Sequence, residues 1–285
     1  MASRADGVMA TDWLHDASYL AAGEAGALPL VLIHGFLGGA AQWEAEIEAF
    51  SGERRVLAFD LPGFAGAADQ TPCTSIAQFA DAVVSRLDAM QVERFVLLGH
   101  SMGGMIVQEI AARFPGRVAK LMLYGTGPLG HMPHRFEPLE ASRQRLRAEG
   151  IVRSTERIVA TWFVEGNKAE GYQRLTSIGS AANPEAAEAA ILAMADWDGR
   201  ENLRHVLMPT LILWGDSDRS YRWPQVELLW RDIPHASLAV LPGTSHAAHL
   251  EKPRLFHAIV HDFLTSVSTP KGAESQMHIG VQKPG

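Results

Sequence analysis

The sequence lacks the features that define several large classes of protein. Its 285 residues contain one cysteine, Cys73, so no internal disulfide can form and a reducing compartment is favoured. No apolar run reaches the roughly 20 residues that a membrane-spanning helix requires. The stretch MASRADGVMATDW at the N-terminus has charges and a glycine where a signal peptide needs an unbroken apolar segment. We therefore expect a cytoplasmic protein that does not use a membrane as partner.

Basic patches and metal-ligand clusters are missing as well. The formal net charge is −7, and the sequence has neither a basic run nor a glycine-rich phosphate loop of the Walker type, which argues against nucleic acid as a partner. No cluster of histidine and acidic residues has a metal-ligand spacing such as H-E-x-x-H, so we expect no metal and no cofactor. The expected partner is a small-molecule substrate. The sequence leaves open whether copies of the chain form a homo-oligomer.

What the sequence does contain is an alternation of short apolar runs and longer helix-patterned stretches. This alternation predicts an α/β protein whose mainly parallel sheet is flanked by helices. The predicted strands are 30–33, 56–59, 95–98, 118–124, 210–214 and 238–241. The predicted helices between them are 40–50, 76–90, 102–114, 223–231 and 255–264. Residues up to Ala22 are expected to add antiparallel strands.

The alternation is interrupted between residues 128 and 206. This segment has helix-compatible patterns at 139–147 and 184–194 and no clear strand, and a structureless loop of such length is improbable in a compact domain. We interpret it as a helical lid over the site, because it leaves the sheet near a strand's carboxyl end, where ligands bind in open α/β sheets. The alternative is a few additional surface helices. Residues 1–127 and 207–268 would then form the core domain, and the polar tail at 269–285 is expected to be disordered.

The most informative stretch is FVLLGHSMGG, which spans residues 95–104. It contains the G-x-S-x-G pattern of a nucleophile elbow, in which a serine, here Ser101, projects from a sharp turn between a strand and a helix. Gly99 and Gly103 suit that turn, because its strained backbone leaves no room for side chains beside the serine. The context agrees, since a buried strand is predicted before the serine and a helical pattern follows it.

A serine hydroxyl needs a base to become a nucleophile, and the base needs an acid to orient it. After an elbow of this type the acid and then the histidine follow along the chain. Asp216 and Asp218 both lie in an acidic loop after an apolar run, and their spacing does not separate them. His246 and His249 both follow the last predicted strand. His246 is favoured, because it lies in the loop, whereas His249 falls at the start of a helix.

A third motif, HGFLGG at residues 34–39, follows a predicted strand. A glycine-rich turn at this position can direct main-chain N–H groups at a developing oxyanion. A second donor would be the amide of Met102, directly after the serine, where the dipole of the following helix helps. The alternative for the motif is a simple flexible turn.

Together these motifs resemble the α/β-hydrolase fold superfamily. HGFLGG at 34–39, DLPGF at 60–64, GHSMGG at 99–104 and WGDSD with the histidine loop occur in the family's order. The resemblance covers about residues 30–264 and implies an eight-stranded type of sheet with a helical lid insertion. It also implies that Asp218 is the acid, that His246 is the base and that the amide of Phe36 is an oxyanion donor. Ser245 departs from the family pattern, in which glycine usually precedes the histidine.

Six further residues are candidates for substrate binding, namely His34, Gly35, Leu37, His100, Trp162 and Phe163. His34 is interpreted chiefly as an organiser of the oxyanion loop, and His100 as a structural residue that points away from the serine. Aromatic residues of the lid suit an apolar acyl group. Arginines of the lid, which are Arg135, Arg143 and Arg147, are interpreted as a solvated helix face, with contact to a substrate carboxylate as the alternative.

These residues indicate a serine hydrolase that cleaves a small carboxylic ester or lactone through an acyl-enzyme. One alternative is hydrolysis of a carbon–carbon bond in a meta-cleavage dienoate, and another is cofactor-free perhydrolysis. A non-catalytic, ligand-binding member of the fold is the alternative outside enzymes. Haloalkane dehalogenase and epoxide hydrolase activities are disfavoured, because similarity to those enzymes would require an aspartate at position 101.

Overall fold

An eight-stranded sheet organises the chain in a computed structural model that describes residues 14–16, 18–24 and 26–266. Its strands are β1 (Leu14–Asp16), β2 (Tyr19–Ala22), β3 (Ala27–Ile33), β4 (Arg54–Phe59), β5 (Phe95–His100), β6 (Val118–Tyr124), β7 (Thr210–Gly215) and β8 (Ala236–Leu241). Their order across the sheet is β1-β2-β4-β3-β5-β6-β7-β8. β1 and β2 pair antiparallel, and the other six strands are parallel. The prediction of a mainly parallel α/β sheet is confirmed.

Helices of the core cover both faces of this sheet, and further helices belong to the segment between β6 and β7. They are α1 (Glu44–Phe50), α2 (Ile76–Ala89), α3 (Met102–Arg113), α4 (Leu139–Ala160), α5 (Tyr172–Ser180), α6 (Pro184–Asp196), α7 (Trp223–Asp232), α8 (Ala248–Glu251) and α9 (Pro253–Thr265). The predicted helix at 40–50 begins as a 3-10 helix, Ala40–Trp43, before α1. None of the helices in the described ranges is both long and apolar enough to cross a bilayer.

Alternation along β3 shows how the sheet separates two cores. Val31 and Ile33 face one side, where they join the cluster that includes α2 and α3, while Leu30 and Leu32 face the cluster of Trp43 and α9. All four side chains are buried, since a central parallel strand is covered on both faces. The sequence of such a strand is an unbroken apolar run, and for this reason the central strands could be predicted from the sequence.

Residues 128–206, called the inserted segment below, leave the sheet after β6 and return at β7. α4 consists of two helical parts that meet at Gly150, whose φ of 79° and ψ of 174° interrupt the helix, and the first part contains the predicted 139–147. α6 begins as predicted, because Asn183 caps it by accepting hydrogen bonds from the amides of Glu185 and Ala186 at 2.9 and 3.1 Å. The amide of Asn183 in turn donates to the carbonyl oxygen of Gly63 at 2.9 Å, which ties the segment to the core. That the segment acts as a lid stays a prediction, as do the domain boundaries, and the tail at 269–285 lies outside the described residues.

Candidate active site

Ser101 lies in the turn between β5 and α3 with φ 58° and ψ −119°. An L-residue rarely adopts a positive φ, and holding it there costs of the order of 1–3 kcal/mol. The surroundings fix this conformation, because the amide of Ser101 donates to the carbonyl oxygen of Tyr124 at 2.9 Å and the Thr126 hydroxyl donates to the carbonyl oxygen of Ser101 at 2.8 Å. The turn therefore presents the serine side chain in a fixed direction.

The two glycines of the elbow have no space for a side chain. A Cβ atom on Gly103 would lie 2.5 Å from the carbonyl oxygen of His34, and one on Gly99 would lie 2.6 Å from a methyl group of Val107. These distances are shorter than any real Cβ contact, so that only glycine fits either position. β3, β5 and α3 can thus approach closely around the serine.

His246 and Asp218 form a buried pair. Nδ1 of His246 lies 2.8 Å from Oδ2 of Asp218, and the two side chains are 1% and 0% exposed. The other carboxylate oxygen of Asp218 accepts hydrogen bonds from the amides of Ser220 and Tyr221 at 2.7 and 3.2 Å. Because a carboxylate only accepts, Nδ1 carries the proton and Nε2 is left with a lone pair. His246 and Ser101 border the same cavity.

The alternative candidates for the acid and the base, Asp216 and His249, lie elsewhere. Asp216 is exposed and accepts a hydrogen bond from the amide of Gly243 at 2.8 Å, so that its carboxylate stabilises the turn after β8. His249 is buried in α8, and its Nδ1 lies 3.0 Å from the hydroxyl of Tyr124. The structure therefore brings His246 to the cavity of Ser101 with Asp218 bonded to its Nδ1, whereas neither Asp216 nor His249 lines that cavity.

The loop of HGFLGG is held by His34. Nε2 of its ring accepts a hydrogen bond from the amide of Leu61 at 2.9 Å, and Nδ1 donates to the carbonyl oxygen of Gly35 at 2.7 Å. This arrangement requires a neutral ring, and burial lowers the pKa of His34 below its usual value, although Asp60 acts against it. Within the described ranges, no protein acceptor takes the amide hydrogen of Phe36 or Met102. Both amides are available to an oxyanion.

The cavity at Ser101 is small and mostly apolar. Its volume is about 20 Å³, which is close to the space that one water molecule needs. The lining residues come from the core and from the inserted segment, and they are Phe36, Ser101, Met132, Arg135, Leu139, Ile158, Trp162, Met194, Ser220, Tyr221 and His246. Arg135 is the one lining residue with a permanent charge, and no carboxylate belongs to this lining.

A larger cavity of about 440 Å³ adjoins the first. The two share Met132, Arg135 and Leu139 as lining residues, and the larger one is otherwise bordered by the loop before α4, by Glu140 of α4 and by Ala195. These three side chains therefore form the partition between the cavity at Ser101 and the larger outer cavity.

Of the six residues predicted to bind substrate, Trp162 lines the cavity at Ser101. Gly35 lies directly behind the serine, since a Cβ on it would be 2.8 Å from the Cβ of Ser101. Phe163 is 1% exposed and borders a separate cavity of about 310 Å³. His34 and Leu37 are buried in the oxyanion loop and, like His100, do not line the cavity at Ser101. Their part in substrate binding stays a prediction.

His100 is buried beneath the serine. Its ring stacks on Tyr124 at a centroid distance of 4.4 Å, and its Nε2 lies 3.0 Å from the carbonyl oxygen of His246. Burial lowers the pKa of His100 well below its usual value, and the neighbouring His246 and His249 act in the same direction. His100 is therefore neutral and contacts the main chain of His246 from below.

Sequence reasoning missed the largest polar side chain of the cavity, Tyr221. Its ring lies nearly parallel to that of His246, with centroids 5.8 Å apart and planes inclined by 15°. Its hydroxyl is buried and has no hydrogen-bond partner among the described residues, although the side chains of Ser101 and Thr126 are near enough to affect its pKa. The sequence contained one signal for Tyr221, which is its position three residues after Asp218. The carboxylate of Asp218 accepts a hydrogen bond from the amide of Tyr221.

Three hydrogen bonds join the inserted segment to the loop of His246 and to α8, and one of them runs from the hydroxyl of Ser245 to the carbonyl oxygen of Thr161 at 3.3 Å. Glu251 accepts from the amide of Val164 at 2.7 Å with one oxygen and from the amide of Ser245 at 2.5 Å with the other. The amide of Ala247 donates to the carbonyl oxygen of Trp162 at 2.8 Å. Residues on both sides of His246 are therefore bonded either to the inserted segment or to Glu251, which is itself bonded to that segment.

This geometry agrees with a comparison to protein families. The family model described as the α/β hydrolase fold matches residues 29–253. The chain belongs to the α/β-hydrolase fold family. Within this α/β-hydrolase, the matched range includes the elbow, the acid loop and the histidine loop.

Curated relatives of this α/β-hydrolase include enzymes of different kinds. The dihydrolipoyllysine-residue acetyltransferase component of the acetoin cleaving system of Pseudomonas putida is 30% identical over 236 residues. These residues are 80% of this chain but 61% of that protein, so the chain spans less than two thirds of that relative. A pimeloyl-[acyl-carrier protein] methyl ester esterase of Yersinia enterocolitica is 27% identical over 249 residues, which are 84% of this chain and 94% of the esterase.

A solved structure gives the same picture of the fold. The enol-lactonase from Burkholderia xenovorans LB400 matches with a TM-score of 0.80 at 23% identity, over 87% of this chain and 96% of that one. At this identity the likeness shows the fold. The family and its relatives identify this protein as a hydrolase.

Proposed function

We propose that this hydrolase cleaves a small carboxylic ester or lactone, with Ser101 as nucleophile, His246 as general base and Asp218 as the orienting acid. The observation that carries the proposal is the buried pair of His246 and Asp218 at 2.8 Å, whose histidine borders one cavity together with the serine of the elbow. The proton on Nδ1 leaves Nε2 free to accept the hydroxyl proton of the serine.

In the first half of the reaction, Oγ of Ser101 attacks the substrate carbonyl while its proton passes to Nε2 of His246. The tetrahedral intermediate then breaks its bond to the alcohol oxygen, which leaves with the proton from His246. In the second half, water attacks the acyl-enzyme and gives one proton to His246, and the bond from the acyl carbon to Oγ of Ser101 then breaks while His246 returns that proton to Oγ and the acid is released. An ester and water thus give an acid and an alcohol, and a lactone gives a hydroxy acid.

The amides of Phe36 and Met102 would stabilise the negative charge on the carbonyl oxygen. Support comes from their positions, since neither amide is bonded to a protein acceptor within the described ranges and Met102 is the first residue of α3. An N–H group at a helix N-terminus faces the positive end of the dipole. The loss of one such donor typically costs about 3 kcal/mol of transition-state stabilisation.

The inserted segment would act as a lid over a small-molecule substrate. Support comes from its share of the lining, because Leu139, Ile158, Trp162 and Met194 belong to α4, α6 and the connection between them. The space of about 20 Å³ at the serine is close to that of one water molecule. Opening of the segment would then precede substrate entry.

Replacement of Ser101 by alanine tests the proposal. The purified protein is expected to hydrolyse p-nitrophenyl acetate and to be labelled by a fluorophosphonate, and Ser101→Ala is expected to lose both properties. The matched control is Ser85→Ala, since Ser85 is an exposed serine of α2. Undiminished ester hydrolysis by Ser101→Ala would contradict the proposed nucleophile.

The alternatives named from the sequence are separated in the same assay. A meta-cleavage dienoate serves as the substrate for carbon–carbon hydrolysis, and acetate with hydrogen peroxide serves for perhydrolysis. A protein that turns over the dienoate faster than every ester and lactone of a panel would favour the carbon–carbon reaction.

A further inference from the structure

Arg135 lies in the partition between the two cavities near the serine. It lines both the cavity of about 20 Å³ at Ser101 and the outer cavity of about 440 Å³. Its guanidinium packs on the ring of Phe136, with the central carbon 3.9 Å from the ring centroid. A cation held against an aromatic face between two cavities is fixed in place rather than free in solvent.

The guanidinium of Arg135 has no carboxylate partner among the described residues. Its Nη1 donates to the carbonyl oxygen of Glu137 at 2.6 Å and to the hydroxyl of Ser142 at 3.0 Å. The Glu137 carboxylate is occupied by Arg157 at 2.6 Å and by Arg145 at 3.3 Å. Nη1 therefore anchors the side chain, while Nε and Nη2 make no hydrogen bond in the described part of the chain.

The other two arginines of the predicted helix face differ in this respect. Arg143 pairs with Glu140 at 2.8 Å and with Glu188 at 3.1 Å, and Arg147 also pairs with Glu188. Both are thus neutralised at the surface. Of the three, Arg135 is the one that combines a place in the cavity lining with an unpaired charge.

Burial lowers the pKa of Arg135 but leaves its guanidinium charged at neutral pH. Desolvation lowers the pKa of Arg135 to about 10, although Tyr221 and Glu137 act against it. At neutral pH the guanidinium is therefore still a cation. A partly desolvated cation without a counter-ion is stabilised by an anion, and a guanidinium holds a carboxylate through two parallel N–H···O bonds.

Tyr221 provides an independent second observation. Its side chain is 1% exposed, and its hydroxyl borders the same cavity without a hydrogen-bond partner among the described residues. A buried hydroxyl without a partner costs about 1–3 kcal/mol. That cost is removed when a ligand atom accepts the hydrogen bond.

We infer, on the basis of the proposed hydrolysis at Ser101, that the substrate is an ester or lactone with a free carboxylate, which Arg135 binds on its side toward the cavity at Ser101, where Tyr221 is a second donor. The reacting carbonyl would lie at Ser101 and the carboxylate several bonds away, beside Arg135. The lining fits such a molecule, because it combines apolar side chains with a single cation and contains no carboxylate. Arg135 would thus be a specificity-determining residue.

The test compares mono-p-nitrophenyl adipate with p-nitrophenyl heptanoate, two esters of similar length that differ in the terminal carboxylate. The ratio of their kcat/KM values is expected to favour the adipate in the wild-type protein. In Arg135→Met this ratio is expected to fall by about 10- to 100-fold, as for the loss of a charged hydrogen bond. Arg135→Lys should restore part of the preference, and Tyr221→Phe should lower it severalfold.

Arg147→Met is the matched control, because Arg147 is an arginine of the same inserted segment that lies on the surface of α4 and is paired with Glu188. It is expected to keep the wild-type ratio. An equal ratio in wild type and Arg135→Met, or a wild-type preference for the heptanoate, would overturn the inference. A fall of the same size in Arg147→Met would also overturn it, since the effect would then be one of general surface charge.

A binding measurement keeps the inference separate from the proposed reaction. Calorimetry with Ser101→Ala should show adipate binding at least 10-fold tighter than neutral adipamide, and the preference should vanish when Arg135→Met is added. Equal binding of the two compounds would overturn the carboxylate site even if Arg135→Met failed to fold. Ester hydrolysis that persists in Ser101→Ala would instead contradict the proposed function and leave the binding result to decide on Arg135.

Discussion

The imidazole of His100 donates a hydrogen bond from Nε2 to the main-chain carbonyl oxygen of His246 at 3.0 Å. The hydroxyl of Tyr124 donates to the same oxygen at 2.9 Å. Two buried side chains from the elbow strand and its neighbour, β5 and β6, thus hold the loop of His246 from below. The position of the proposed base is fixed by its main chain as well as by Asp218.

Removal of the Tyr124 hydroxyl is expected to loosen this loop. Tyr124→Phe should lower the free energy of unfolding by about 1–3 kcal/mol, because the buried amide of His249 loses its partner and His246 retains one donor of two. It should also lower kcat more than it raises KM. Tyr172→Phe, which removes an exposed hydrogen bond to Glu156, serves as the control. Thermal denaturation and ester kinetics provide the measurements, and equal effects of both variants would argue against the anchoring role.

Replacement of Asp218 is expected to abolish most activity without removing the fold. Asp218→Asn keeps the size of the side chain but not the charge that holds the proton on Nδ1 of His246. A fall in kcat of about 10³- to 10⁴-fold is expected. Asp216→Asn, at the exposed turn, should change kcat less than threefold, which is within the range of a surface substitution. The reverse ranking would assign the acid to Asp216.

Stability is expected to decrease as the solution becomes acidic. Burial lowers the pKa of His249 to about 4, although Glu46 acts against it, from about 6.5 in an unfolded chain. The folded protein therefore binds fewer protons than the unfolded chain between these values. Its stabilisation is complete above pH 6.5 and is lost as the pH falls toward 4, with about 3 kcal/mol at stake.

Denaturant titrations between pH 7.5 and roughly 4 measure this loss. His249→Asn should flatten the pH dependence of the free energy of unfolding, whereas His131→Asn, at an exposed position, should not. Identical slopes for wild type and His249→Asn would show that His249 does not contribute to the acid sensitivity.

The sequence predicted most of the fold because its signals there are local. Central strands such as β5 and β7 are buried on both faces and therefore read as apolar runs. The elbow could be located for a similar reason, since Gly99, Ser101 and Gly103 act within a single turn. α5 and the second half of α4 were not predicted, because the positions of their apolar residues are determined by packing against other parts of the inserted segment.

The site was predictable only as far as a short motif defines it. Asp216 and Asp218 lie in the same acidic turn, and what separates them is how this turn meets the loop after β8. Arg135 and Ser101 share a cavity although 34 positions separate them, as their residue numbers show. No local sequence pattern predicts that these two residues line the same cavity. Nor does one predict the unpaired hydroxyl of Tyr221 beside them.

One carboxylate, that of Glu251, spans from Val164 to the residue before His246. If the inserted segment moves at Val164 to admit a substrate, as proposed, one of the two bonds of this carboxylate breaks. Substrate entry and the position of His246 would then be coupled, and the protein would be least reactive while it is open. Such coupling would protect an acyl-enzyme from other nucleophiles until both bonds have re-formed.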